Sequence, residues 1–478
     1  MKSKPRIAIV GGGVAGATTA LYLGQMGMRV TLFEREKSLI SGPPFCHLHA
    51  GGNLYREISD DQCVTLLKQS IDFLRYYPFI VDYRPTVIAI PTEDKGDPED
   101  LLPRLRLLVK AYEAHIAKDP QNRVLGDPSD YYRIYTKEKM EALAGAGSIP
   151  HPRTFDEWMI PVAKQIDFDK VKFPLIMVQE YGLNLFRLAA GVSLTLSTME
   201  NIDLKLSHRV TSVTRESEGW RVGYVYEDGN DEMRFDYLIN AAGFRTGRID
   251  DMVGVPCQSM VEFKAAYISK WEGCCDTLWP EVIFHGERGT PRGMGQFTPY
   301  PEGYFQLHGM TKEITLYEDG LVASTKLSCQ PQLKPEFIEK IERSWRTEEV
   351  EARTKNAIGH LAKYIPRFAN AKVGSKPLFG AQQIPGSDPT LRVAEVSFPA
   401  EKYARCEIVK VSSVLDMVDA ILKKLTKEGL WEDATPQRDL SYLQHLDETR
   451  LTRHAEEIAL MRNYPAALSG RTVPKPIQ

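Results

Sequence analysis

Arg6-Ile7-Ala8-Ile9-Val10 is an unbroken apolar run, the pattern of a short strand buried on both faces of a parallel sheet. Glycines 11, 12, 13 and 16 follow at once. Ala17 to Met26 reads as a helix that Gly27 closes, and Arg29-Val30-Thr31-Leu32-Phe33 predicts a second strand ending at Glu34. Ser59-Asp60-Asp61-Gln62 has the form of a helix cap. Val64, Leu67, Ile71 and Leu74 then mark one buried face, so residues 59 to 76 read as scaffold. Residues 79 to 90 predict a strand, whereas 95 to 165 are charged and read as a loop-rich insertion, either a lid or an oligomer contact. Leu185, Leu188 and Ala189 predict a helix within 182 to 191, and residues 204 to 226 predict strands joined by a charged turn.

Farther along, Tyr237 to Gly243 is a strand ending in small residues, which suits a backbone passing close to a flat ligand. Phe263 to Ile268, Val282 to His285, Gly303 to His308 and Ser324 to Leu327 alternate in strand fashion and predict an antiparallel sheet. Residues 335 to 365 predict helices with Ile338, Ile341 and Trp345 as packing positions. Cys406 to Ser413 leads as a strand into a helix over Val414 to Leu425. Beyond about 428 a charged helical tail runs to Tyr464, and a solvated helix is favoured there over a membrane-surface contact.

Composition narrows the classes. Over 478 residues, 43% hydrophobic and 26% charged residues describe an ordinary globular chain. A formal net charge of −3, without a basic block, argues against nucleic acid as a partner. The 7 cysteines are scattered and none forms a CxxC pair, so a reducing, cytoplasmic setting is expected and Cys274-Cys275 reads as part of a turn. Ile7 to Met28 carries no charge and follows basic residues as a signal segment would, but its glycines and the lack of a cleavage site argue otherwise. No other stretch could span a bilayer.

The chemistry concentrates near the start. In Gly11-Gly12-Gly13-Val14-Ala15-Gly16, the first glycine of the G-x-G-x-x-G (Gly11) permits the tight turn. The second (Gly13) lets the backbone approach a pyrophosphate, and the third (Gly16) allows close helix packing. The phosphates would sit at the helix N-terminus, where unpaired N–H groups and the helix dipole favour negative charge. Glu34 is spaced to accept hydrogen bonds from an adenosine ribose. The same fingerprint serves NAD and FAD.

Three segments decide between them: Ile7 to Arg35, then His49-Ala50-Gly51-Gly52-Asn53-Leu54, then Tyr237-Leu238-Ile239-Asn240-Ala241-Ala242-Gly243. Together they resemble the D-amino-acid-oxidase-like (DAO) superfamily of FAD-dependent oxidoreductases, over roughly residues 5 to 425. The resemblance implies an α/β fold. A discontinuous Rossmann-like FAD-binding domain of the GR2 type (1–85, 166–255, 371–428) would carry an interleaved α+β substrate domain on an antiparallel sheet (86–165, 256–370), followed by a helical tail (429–478). It implies FAD contacts from Gly11, Gly13, Val14, Ala15, Gly16, Glu34 and Arg35, an adenine contact from the Val210 backbone, and passage of Ala241, Ala242 and Gly243 beside the cofactor. The loop from Ser41 through His49, Ala50, Gly51 and Gly52 would press on the isoalloxazine, with His49 in noncovalent contact by default and covalent attachment as the alternative. Cys46, His47 and His49 could be read as metal ligands, but no further ligands accompany them. Lys376 to Gly386 would return the chain to the flavin, and Lys410, Ser412 and Ser413 would meet its pyrimidine ring at a helix N-terminus, which suits the charge of a reduced flavin.

In the family, the sheet roofs the flavin and holds the substrate. Lys264, Arg292, Gln296, Tyr300 and His308 are the candidates there: Arg292 for a carboxylate, Tyr300 nearby, and His308 as a base for a hydroxyl proton, with His49 also near the reacting centre. No second G-x-G-x-x-G and no CxxxxC follows, which disfavours a disulfide reductase with a separate NADPH domain. The expected reaction is hydride transfer from a small hydroxy or amino acid to flavin N5. Reoxidation would be by a quinone, another acceptor or oxygen. The alternatives are a peroxide-producing amine oxidase, a noncatalytic FAD-binding protein, and NAD-linked dehydrogenation.

Overall fold

The computed structural model describes residues 4–42, 48, 58–274, 277–391, 393–436, 438, 443 and 445–475. The apolar run at the N-terminus is β1 (Arg6–Val10), followed by α1 (Val14–Gln25) and β2 (Arg29–Phe33). β1 lies between β2 and β12 (Tyr237–Asn240), parallel to both. The sheet continues on one side to β8 (Ile202–Lys205) and on the other to β20 (Tyr403–Cys406) and the antiparallel edge strand β19 (Val396–Ala400). Ile7, Ala8 and Ile9 are wholly buried, because a parallel strand covered on both faces has no polar side. α1, α2 (Asp60–Tyr76), α6 (Leu185–Leu196) and α10 (Val414–Lys427) share the large core on one face, with the Ser59 hydroxyl accepting from Gln62 N as the cap of α2. The other face meets a three-stranded antiparallel sheet of β9 (Arg209–Glu216), β10 (Gly219–Tyr226) and β11 (Gly229–Phe235). A short pair, β3 (Val81–Asp82) and β7 (Gly182–Leu183), completes this half.

A nine-stranded sheet forms the roof. Its order is β17 (Leu321–Ala323), β13 (Ser259–Lys270), β16 (Tyr304–Gly309), β15 (Gly295–Pro299), β14 (Glu281–Phe284), β4 (Thr86–Pro91), β6 (Val171–Val178) and β5 (Tyr132–Tyr135), with β18 (Lys372–Pro385) also paired to β13. Alternation gives it two unlike faces. Val87, Tyr267, Val282, Phe297, Phe305 and Leu307 pack beneath α5 (Phe155–Gln165) and α9 (Thr347–Ala362). Ile88, Ile176, Ile268 and Leu378 turn the opposite way and join the core shared with α1 and α2. α7 (Thr246–Val253) and α8 (Pro335–Glu342) lie near the edge, with Ile338, Ile341 and Trp345 packing as expected.

Several expectations are corrected. The sheet is mixed, since β4 and β14 run parallel. Ser324 to Leu327 is a turn after β17, held by Leu327 N and Ser328 N donating to Thr325 Oγ1. Lys376 to Gly386, for which no element is predicted, belongs mostly to a 14-residue strand paired with β13. The 95–165 insertion is largely helical: α3 (Leu102–Lys118), α4 (Lys137–Ala144) and α5 fill most of it, because Leu105, Leu108 and Tyr112 form a buried stripe and Thr154 with Glu157 forms a capping box.

The tail is also more than a solvated helix. Leu451, Ala455, Ile458 and Ala459 of the helix Glu448–Met461 are buried against α6. Buried Arg187 of α6 grips Glu448 through Nη2 at 2.7 and 2.8 Å. Ile458→Ala should therefore cost about 2 to 3 kcal/mol in urea unfolding. A change within about 0.5 kcal/mol, as expected for a surface position, would contradict this packing.

Candidate functional site

The three glycines of the first turn have distinct surroundings. Gly11 has φ +102°, and a Cβ there would lie 2.4 Å from the Ala241 carbonyl oxygen, so the β12 end presses directly on the turn. A Cβ at Gly16 would sit 1.8 Å from Gly11 O, which makes glycine the condition for α1 to pack against β1. At Gly13 a Cβ would meet nothing within 4 Å. This residue is the N-cap of α1 and supplies no side-chain cap, so the first N–H groups around Val14 and Ala15 face an open approach. Open space above an uncapped helix N-terminus fits a pyrophosphate.

Glu34 ends β2 and is buried. Its carboxylate accepts from Gly12 N at 2.6 Å and from Glu36 N at 2.7 Å, tying the turn to the strand end. Burial raises its pKa above the usual 4.5, and the two backbone donors oppose that rise. The sign follows: in the flavin-free chain this contribution to stability is full below about pH 4.5 and is lost as pH rises through the raised folded value. Glu34→Gln should thus gain on the parent in urea unfolding as pH climbs from 4.5 toward 8, and a difference independent of pH would contradict the assignment.

Beside Glu34 a cavity of about 520 Å³ is lined by Arg35, Glu36, Ser207, Arg209, Tyr226, Arg248 and Glu342, among others. Val210, next to Arg209, pairs with Tyr224 on β10 and packs on the neighbouring core. Arg35 and Arg245 both reach Glu342, and burial beside Arg35 lowers the Arg245 pKa to about 10. Sequence reasoning missed Arg462, which follows the C-terminal helix. It donates to Ser38 Oγ, Leu39 O and Ile40 O, fixing the chain just after Glu34. Its only signal was a basic residue before the apolar Tyr464.

At the far end, Ala241 is buried, Ala242 is half-buried, and Gly243 is exposed at φ +57° with no atom within 4 Å of a Cβ. Lys410 precedes a single helical turn, Val411–Ser413, that leads into α10. Ser412 and Ser413 are buried, and the Ser413 hydroxyl lies 2.8 Å from Lys410 O and 3.4 Å from Ala394 O, within donating distance of both. α10 has no side-chain N-cap. The roof reaches this junction directly: Lys264 Nζ donates to Gln382 Oε1 at 3.0 Å, and Gln382 Nε2 donates to Val409 O at 3.1 Å.

The roof face that joins the nucleotide half carries a polar row. Glu281, Gln296, Thr298 and Gln306 are buried, and half-buried His308 approaches Gln296 Oε1 through Nδ1 at 3.3 Å. Tyr300 packs at the same end, with its hydroxyl 3.5 Å from Gln306 Oε1. Arg292 is not brought into this row: its side chain is 66% exposed, 3.4 Å from Glu93, on a connection that folds back on Met310. The buried arginine of the region is Arg84, unremarked in the sequence, which donates to Glu281 Oε2 at 2.6 Å and lies 3.5 Å from Asp82. Burial works to lower its pKa, but Glu281 and Asp82 outweigh that and raise it. Cys46, His47, His49, Ala50, Gly51 and Gly52 lie outside the described residues. Among the described residues no helix is long and apolar enough to cross a membrane.

Comparison with known proteins bears on the fold. The sequence model of the DAO family, described as FAD dependent oxidoreductase, matches residues 6–124. A stretch of 76 residues is 38% identical to carotenoid phi-ring synthase of Streptomyces griseus, covering 15% of this chain and 13% of that one, so the chain spans only a small part of this curated relative. Among solved structures, glycine oxidase from Geobacillus kaustophilus superposes with a TM-score of 0.53 at 15% identity, covering 93% of this chain and all of that one. Glycerol-3-phosphate dehydrogenase from Bacillus halodurans, complexed with FAD, gives 0.56 at 12% identity over 97% and 74% of the two chains. L-alpha-glycerophosphate oxidase from Mycoplasma pneumoniae, with FAD bound, gives 0.56 at 14% over 91% and 96%. At these identities the likeness establishes the fold.

Proposed function

We propose that this chain, whose residues 6–124 match the DAO model of FAD dependent oxidoreductases, is an FAD-dependent oxidoreductase that oxidises a small hydroxy or amino acid held between the roof sheet and the nucleotide half. When bound, FAD supplies an acceptor for the hydride leaving the substrate carbon. The chain's own residues do the rest. Val14 and Ala15 at the α1 N-terminus hold the pyrophosphate, Glu34 meets the ribose, and the cavity beside Arg35 and Val210 takes the adenine end. The uncapped start of α10, with Lys410 and the buried Ser412 and Ser413, faces the pyrimidine end. The resemblance assigns the ring contacts to His49, Ala50, Gly51 and Gly52, which lie outside the described residues.

The observation that carries the substrate reading is the polar row on the inward face of the roof. A sheet face that joins a hydrophobic core has no structural need for Glu281, Gln296, Gln306 and His308 together, whereas a small polar substrate does. His308 takes the hydroxyl proton of a hydroxy acid as hydride leaves, and Tyr300 borders the same space. Arg292, exposed on its loop, is set aside as the carboxylate ligand. Lys264, on the inward face beside the α10 junction and paired with Glu262 at 2.7 Å, is the proposed cation for a substrate carboxylate, which would share it with Glu262.

The test is anaerobic bleaching of the purified yellow protein against panels of small hydroxy acids and amino acids. The proposal expects at least one to reduce the flavin, with peroxide formed on readmitting air only if oxygen is the acceptor. Bleaching by dithionite but by neither panel would favour a noncatalytic FAD-binding protein and overturn the reading.

A further inference from the structure

The inward polar row contains a chain of hydrogen bonds whose direction is fixed from one end. Arg84 and Glu281 have side chains 3% and 0% exposed, and Arg84 Nη1 donates to Glu281 Oε2 at 2.6 Å. A guanidinium remains protonated, and the carboxylate facing it is an acceptor only. Glu281 Oε1 lies 2.7 Å from the Gln296 side-chain amide, so the end of Gln296 turned toward it must be the NH2 group. Thr298 Oγ1 at 3.2 Å takes the second amide hydrogen. The Gln296 carbonyl is thereby turned toward His308 Nδ1, at 3.3 Å. A carbonyl only accepts, so that nitrogen must carry a hydrogen.

We propose that Arg84, Glu281 and Gln296 are positioning residues that hold neutral His308 as the Nδ1–H tautomer, placing its basic lone pair on Nε2. This rests on reading His308 as the base of the reaction. In that step the substrate O–H bond breaks and the proton passes to Nε2. The O–H electron pair becomes the second bond of the new carbonyl as hydride leaves the carbon for FAD. The relay explains why a fully buried ion pair stands behind a half-buried histidine: a neutral amide alone could present either end to the imidazole, whereas an amide tied to a carboxylate cannot.

The test is a long-range 1H–15N correlation spectrum of the FAD-loaded chain labelled with 15N-histidine, the His308 signal being assigned by its loss in His308→Asn. The expected result is a hydrogen on Nδ1 and none on Nε2 in the neutral ring. Gln296→Met, which removes the carbonyl acceptor, should move population to the Nε2–H form, and Thr298→Val, which leaves the carbonyl in place, should not. A parent protein with the hydrogen on Nε2 overturns the relay, as does a folded Gln296→Met that keeps the Nδ1–H form. If Gln296→Met does not fold, the parent spectrum still decides. An Nδ1–H histidine in a protein that no hydroxy or amino acid bleaches would uphold the relay while removing the proposed base role.

Discussion

Gly13→Val should fold and yet lose its flavin. The valine Cβ enters space where no atom lies within 4 Å, so the chain itself has nothing to displace, and as an N-cap change it should cost about 1 kcal/mol of stability. That same space is the approach to the N–H groups of α1, and filling it should weaken FAD binding about 1,000-fold, equivalent to about 4 kcal/mol. Fluorescence titration of the flavin-free variant measures the loss, and thermal unfolding measures the intact fold. Gly16→Val is the counterpart. With its Cβ 1.8 Å from Gly11 O it should damage the packing of α1 itself, so instability and flavin loss would arrive together. Tight flavin retention in Gly13→Val would contradict the placement of the pyrophosphate.

The second large effect concerns the ion pair beneath the roof. Arg84→Met leaves Glu281 wholly buried with its cation removed, and truncating one side of such a pair costs about 3 to 5 kcal/mol. Gln296 Nε2 remains to donate to Glu281, but an amide does not neutralise a carboxylate. Removing both charges in Arg84→Met with Glu281→Leu should recover part of the loss, since Glu281 is no longer stranded, while buried Asp82 loses Arg84 but keeps its hydrogen bonds from Thr472 and Val473. Urea unfolding of the parent, the two single variants and the double variant gives the coupling. An Arg84→Met variant within about 1 kcal/mol of the parent would mean that water or Asp82 rearrangement relieves the site, and the buried pair would lose its assigned weight.

What the sequence revealed and what it hid divide along physical lines. The β1–α1–β2 unit and the Glu34 position were legible because each glycine answers a local demand, a positive φ at Gly11 or close packing at Gly16, within a few residues of the strand that creates it. The helix over Asp60–Tyr76 was likewise written in its own cap and stripe. Helix Leu102–Lys118 was hidden by its charge, since its stripe of Leu105, Leu108 and Tyr112 alternates with exposed Arg106, Lys110, Glu113 and Lys118. The tail misled for the same reason: its burial depends on α6, more than 250 residues earlier, and on the reach of Arg187 to Glu448.

The site shows the same division. His308 was visible as a histidine in an alternating strand, but Arg84, Glu281 and Gln296 become one unit only when β4, β14, β15 and β16 are laid side by side. Arg292 drew notice as the arginine nearest those strands in sequence. It lies on the connection between β14 and β15, whose course the local pattern does not set and which leaves it exposed, whereas Arg84, between β3 and β4, is brought inward against Glu281.

The proposed function requires a flavin dinucleotide lying between the first glycine turn and the start of α10. Its most direct test is to purify the full chain, reconstitute it with excess FAD, remove the unbound cofactor, and identify what acid denaturation releases. The prediction is FAD in a one-to-one ratio with the chain, recovered in solution if His49 makes only noncovalent contact and remaining on the polypeptide if it is bonded. A colourless protein that retains no flavin in either fraction would contradict it.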